Sequence, residues 1–255
     1  MIRFLWMDVM ILMACLPAHA QDFSMMSDWT QQQMLNDNLQ RNLANSGIRP
    51  PASNRPPAYA IGPGIRTPRG MTGTPMPVGA TSTYRSSPQV TTRVRAQFVE
   101  FIRQTSGDKA AAAVGAELQR RDYLQLWATH AAQDGLRLGD VADAFTAYWV
   151  ENWQMANAAN EVAPAQVQAV RRQVSSTLLS NPSFTRLNDA QKQEMAEVFI
   201  YNQVVQDANY VGAMQRGDKA LMQKIGDASV QRFRKEMNLD LRQLALTDNG
   251  FLPRR

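Results

Sequence analysis

Residues Asp140 to Asn160, DVADAFTAYWVENWQMANAAN, restrict the fold more than any other stretch of the chain. At 100° per residue, Ala144, Met155, Tyr148, Val141, Ala159, Phe145, Ala156, Trp149, Ala142 and Trp153 fall on one continuous arc. An apolar arc this wide needs other helices against it, so the stretch predicts the central helix of a bundle. Asp140 is the expected N-cap, and Asp143 adds negative charge to the first turn, where the helix dipole favours it. Thr146, Asn157, Asp143 and Gln154 take the opposite side, and Asp143 and Gln154 are expected to face water. Asn152 lies inside the arc, between Val141 and Phe145. A polar residue buried there must be hydrogen-bonded, and it then fixes register; ligand binding is the competing reading.

Helix signals punctuate the chain on both sides of this stretch. Ser87-Pro88 reads as an N-cap and first-turn pair, followed by a stripe of Val94, Phe98, Phe101, Ile102 and Thr105 that Gly107 stops. Asp108 opens an alanine-rich helix to Arg121. Asp122 with Gln125 starts another, over Tyr123–Gln133, that Gly135 ends. Beyond the central helix, Pro164 leads the stripe Val167, Val170, Val174 and Leu178 up to Asn181-Pro182. Asn188 with Gln191 caps the longest helix, to about Gln215, and Gly217-Asp218 restarts the chain into a helix ending near Met237. The tail from Leu239 reads as a short helical turn and a hook in which Gly250 lets Phe251 fold back. No run alternates with period two for long enough to predict a strand. The expectation is all-α: a single bundle of six or seven helices over residues 90–252.

The N-terminal third has a different character. Residues 1–20 read as an export signal, with Arg3 as the basic start, an apolar run from Val9 to Leu16, and Ala18-His19-Ala20 as the cleavage site. Cys15 follows Leu12-Met13-Ala14 in a weak likeness to a lipid-attachment site, but cleavage after Ala20 would remove it. Export puts the protein in the periplasm or outside the cell, with no transmembrane helix in the mature chain. Residues 21–45 could hold a short helix with Leu35, Leu39 and Leu43 at spacings of four. Residues 46–89 contain nine of the 13 prolines, six glycines and no acid. That composition cannot bury enough apolar surface to offset ordering entropy, so a disordered basic linker is expected.

The net charge of +5 has a local origin. Residues 96–255 carry 18 Lys/Arg and 18 Asp/Glu, whereas residues 21–95 hold eight Arg against Asp22, Asp28 and Asp37. A basic arm on an exported protein points to weak electrostatic contact with an anionic envelope rather than to nucleic acid. The partner itself, a protein or an envelope component, is not specified.

Little in the domain promises chemistry. The chain after Ala20 has no cysteine and one histidine, His130, expected as a partly exposed helix residue. No phosphate loop, zinc-protease pattern or calcium loop is present, so neither a cofactor nor a metal site is expected. Glu194 and Glu197 fall within the apolar arc of the longest helix, and Glu151 lies beside Trp149 and Trp153. A carboxyl on an apolar face has a raised pKa, which is what a general acid needs. Glu151 or Glu197 could therefore serve a cell-wall glycan hydrolase. The structural reading instead gives Glu197 an arginine partner such as Arg171 or Arg172. Binding candidates are Asn152, Trp149, Trp153 and Tyr201.

The stretch DVADAFTAYWVENWQMAN, the Pro-led VQAVRRQV helix and the closing DLRQLALTDNGF together resemble an uncharacterised family of exported bacterial helical proteins, a domain of unknown function. The resemblance runs over about residues 87–252 and leaves the linker outside. It implies one helical domain and carries no activity or site residues. The expected role is that of a non-catalytic interaction or envelope-associated protein, with the wall hydrolase as the alternative.

Overall fold

The computed structural model describes residues 79–159 and 161–254. The export signal, Cys15, the cleavage site at Ala20, the 21–45 segment and the linker up to residue 78 lie outside the described residues. Among the described residues eight α-helices follow one another: α1 (Pro88–Ser106), α2 (Asp108–Arg120), α3 (Tyr123–Ala131), α4 (Val141–Asn157), α5 (Pro164–Leu179), the single turn α6 (Pro182–Thr185), α7 (Asp189–Gln215) and α8 (Lys219–Met237). The expected all-α bundle is present, with α6 as an added short turn.

Most ends sit where the local chemistry puts them. The Asp140 carboxylate accepts from the Ala142 N–H at 2.9 Å, and Asp122 accepts from Leu124 and Gln125. Asn188 and Gln191 form the reciprocal capping box, and Asp218 caps α8 through the Leu221 N–H. The start of α1 differs in detail. Ser87 makes no side-chain cap; its hydroxyl turns to Gln89, and its backbone N–H and C=O are bracketed by the Gln193 amide at 2.7 and 3.0 Å. A residue of α7 thus holds the backbone of the cap residue, while the first-turn N–H groups of Val90 and Thr91 donate to the Ser87 carbonyl. The central helix stops at Asn157, three residues early, because Ala158 adopts the left-handed conformation at φ 49°.

Part of the stretch expected as linker, up to residue 89, is packed onto the bundle. Thr83 bridges Asp140 antiparallel, the Tyr84 N–H donates to the Gly139 carbonyl at 2.9 Å, and the Val141 N–H donates to Ser82 at 3.0 Å. Lys192 ties down the same segment by donating to the Thr81 carbonyl at 2.7 Å. Residues 81–84 are therefore a strap across the start of α4.

Two expectations about strands and faces need correction. The tail forms an antiparallel hairpin, β1 (Leu244–Thr247) with β2 (Gly250–Pro253), pairing Leu246 with Phe251 and Thr247 with Gly250. Four residues per strand give no readable alternation, whereas the Asp248-Asn249-Gly250 turn, with Gly250 at φ 95°, was the available signal. Phe251 does fold back as expected and is fully buried. The second correction concerns α4. Every residue from Val141 to Ala156 is buried, Asp143 and Gln154 included. Helices α5, α7 and α8 and the hairpin region surround it, so it has no water face.

Asp143 is accommodated because Arg171 of α5 reaches it, while the Arg137 N–H donates to its other oxygen at 2.9 Å. Arg171 also pairs with Asp140 at 3.1 Å. Burial and the neighbouring Asp140 still hold the Asp143 carboxyl above its ordinary pKa, against the opposing pull of Arg171.

Close approach of α8 to α4 depends on Gly226. A Cβ there would stand 2.5 Å from the Met155 carbonyl oxygen, a backbone atom that cannot rotate away. In an open helix Gly→Ala gains about 1 kcal/mol of helix propensity. Here Gly226→Ala is expected to cost about 1–3 kcal/mol, as overpacking does. Urea unfolding checks the sign: a stabilised variant would mean that the two helices are not in contact at this point.

Candidate functional site

Several buried polar side chains meet between α4 and α7, which share the broadest helix–helix contact among the described residues. Lys192 through Ala213 of α7 are almost all buried, Gln203, Gln206 and Asp207 among them. Gln203 and Asp207 are one helical turn apart and therefore share a face. That face meets Glu151 of α4.

A cavity of about 30 Å³ opens where these residues meet. Its polar lining comes from Trp127, His130, Asp134, Glu151, Gln203 and Asp207. Of the residues around it only His130 is not buried, so the imidazole forms the wall nearest solvent. A void of this size holds one or two waters.

The hydrogen bonds inside have a definite direction. The Trp127 indole N–H can only donate, and it donates to the Gln203 amide oxygen at 2.9 Å. The Gln203 NH₂ is thereby turned toward Glu151, whose Oε2 accepts from it. Glu151 Oε1 and Asp207 Oδ1 are buried with no hydrogen-bond partner among the described residues. Burial and the Asp207 charge push the Glu151 carboxyl well above the ordinary carboxylate range, and the Gln203 bond opposes this only in part. Burial pushes Asp207 up to about 7.

Asp207 was missed from sequence. Its spacing from Gln203 placed both on one helical face, but nothing in the order of residues said that this face would meet Glu151. The expected setting of Glu151 also needs revising: its cavity is lined by Trp127, whereas Trp149 and Trp153 turn toward the hairpin. Trp149 lies 4.7 Å and Trp153 5.9 Å from the Phe251 ring, centre to centre. The Trp153 indole donates to the Leu244 carbonyl at 3.0 Å.

Glu197 stands apart, on the seam between α1 and α7. Its Oε1 accepts from the Thr91 hydroxyl and the Gln193 amide, both at 2.7 Å. The expected partners Arg171 and Arg172 do not reach it; Arg171 is committed to Asp140 and Asp143. Burial raises the Glu197 pKa against those hydrogen bonds. One turn on, the Tyr201 hydroxyl accepts from Arg95 at 3.0 Å, and burial pushes its pKa up to about 12. Glu194, the other acid on this helix's arc, is partly exposed and pairs with Arg93 at 2.7 Å. Glu151 and Glu197 are thus not brought to one site.

Asn152 points toward α8. Its amide oxygen accepts from Arg232 at 2.8 Å, and its NH₂ donates to the Tyr148 carbonyl at 2.8 Å. All four binding candidates (Trp149, Asn152, Trp153 and Tyr201) are buried. Among the described residues no group of three His, Asp or Glu side chains could hold a metal ion, and no helix is long and apolar enough to cross a membrane.

A family of unknown function, DUF6683, matches residues 28–253. The matched range extends N-terminally beyond residues 87–252 and spans the Pro-rich segment. No curated protein and no solved structure gives a significant match.

Proposed function

We propose that this chain, which belongs to that family of unknown function, is an exported helical protein of the cell envelope that acts by binding rather than by catalysis. The observation that carries this reading is how the two candidate acids are packed. Glu151 is 1% exposed beside a water-sized cavity, and Glu197 is 2% exposed with one oxygen held by two protein donors. A glycosidic acid must touch the oxygen of its leaving group, and a sugar ring has no room at either position. The export signature at residues 1–20 and the basic, Pro-rich stretch behind it support an envelope location.

Two measurements test this. Osmotic-shock release of cells expressing the full chain, with N-terminal sequencing of the product, is expected to give a protein beginning at Gln21. A wall-digestion assay on that product is expected to release no fragments. In the same material Glu197→Gln should change stability by less than about 1 kcal/mol, since the amide keeps much of the hydrogen bonding. Fragment release that disappears in Glu151→Gln or Glu197→Gln would replace this reading with the hydrolase.

A further inference from the structure

We propose that Glu151 and Asp207 form a shared proton-binding site that makes the seam between α4 and α7 sensitive to pH. Two carboxylates from different helices are buried at one cavity, each with an oxygen that no donor reaches among the described residues. One neutral donor, the Gln203 amide, serves Glu151, and Trp127 fixes its direction. A proton on either acid removes one of the two like charges and with it their repulsion. With both ionised, two like charges face one cavity in a low-dielectric interior, and neither Glu151 Oε1 nor Asp207 Oδ1 has a hydrogen-bond donor among the described residues.

The charged groups on the surrounding elements include an acid and a histidine at the cavity and three arginines that bond to other groups. Asp134, beyond α3, faces the same cavity and adds negative charge when ionised. His130 of α3 lies at the cavity wall and is the one lining residue that is partly exposed, which gives the cavity its nearest route to solvent. Arg171 of α5 is on Asp140 and Asp143, Arg232 of α8 is on Asn152, and Arg95 of α1 is on Tyr201 and Asp122. No group of three ligating side chains converges among the described residues, so a proton fits this pair better than a metal ion does.

The direction of the effect follows from the raised affinities. Both folded-state pKa values lie above the unfolded carboxyl value of about 4, with Asp207 at about 7. The stabilising contribution is fully present below about pH 4 and is lost as pH rises through about 7. For each proton that the folded state retains and the unfolded state has released, the folding constant falls about tenfold per pH unit. The seam is therefore closed in acid and loosened in mild alkali.

Urea unfolding of the mature chain from pH 5 to 8.5, at constant ionic strength, reads this directly. The wild type is expected to lose stability across that range more steeply than the double variant Glu151→Gln/Asp207→Asn, whose amides cannot ionise. Equal slopes in the two proteins would overturn the proposal. If the double variant does not fold, infrared spectra of the wild type decide instead. A protonated-carboxyl carbonyl band at pH 6.5 that disappears on raising the pH is expected, and its absence at pH 6.5 would be equally fatal.

Discussion

Trp149→Ala is expected to destabilise the domain by about 3–5 kcal/mol, the range for deleting a large buried aromatic. The ring is fully buried at the middle of α4, 5.8 Å from Phe145 and 4.7 Å from Phe251, centre to centre. It thus joins the central helix to the C-terminal hairpin, and its loss leaves a cavity that two elements line. A second substitution identifies the cause. The Trp149 indole N–H has no acceptor among the described residues, so Trp149→Phe removes an unsatisfied donor along with part of the ring. Its cost should stay below about 1.5 kcal/mol, as for shape changes that keep most of the apolar volume. Trp149→Ala combined with Phe251→Ala should cost less than the two single changes added together, because the rings share one contact. A denaturation midpoint unchanged by Trp149→Ala would place the ring outside the core.

How far such a core can be read from sequence depends on which physical question is asked. Helix ends are local, and Asp122, Asp140, Asn188, Pro164 and Asp218 mark them where they occur. The identity of the central helix was legible because ten apolar residues on one arc need partners. The fate of the opposite face was not. Asp143 and Gln154 are polar, but burial depends on how many neighbours a helix has, and α4 is enclosed on all sides. Asp143 survives there through Arg171, a residue 28 positions away. Both polar atoms of the Gln154 amide are buried with no partner among the described residues, and nothing in the structure accounts for that.

The Glu151–Asp207 pair shows the same limit at the candidate site. Glu151 was singled out from its position on α4, but its chemistry changes once a second carboxylate arrives from α7. On that helix almost every residue between Lys192 and Ala213 is buried, so polar and apolar positions no longer mark two faces. Periodicity then carries no information about which acid looks inward. Pairing between helices is a property of the whole bundle.

Asn152 is where the local and the global readings agree, and its removal should be the other large effect. Its position inside the apolar arc predicts burial, and it is fully buried. Burial obliges it to bond, and it does so twice, to Arg232 and to the Tyr148 carbonyl. Arg232 is itself only 6% exposed, so the bond involves a charged donor largely out of water. Hydrogen bonds to charged groups are worth about 1.5–3 kcal/mol, and Asn152→Ala is expected to cost about 2–3 kcal/mol. The loss should depend on Arg232. In an Arg232→Met background, Asn152→Ala has no charged donor to abandon, and its cost should fall by at least about 1 kcal/mol, as expected for residues in direct contact. A ligand-binding Asn152 makes the opposite prediction: truncation would leave stability nearly unchanged, with the same small effect in both backgrounds. A double-mutant cycle by urea unfolding therefore separates a residue that sets the register of α4 on α8 from one kept for a ligand.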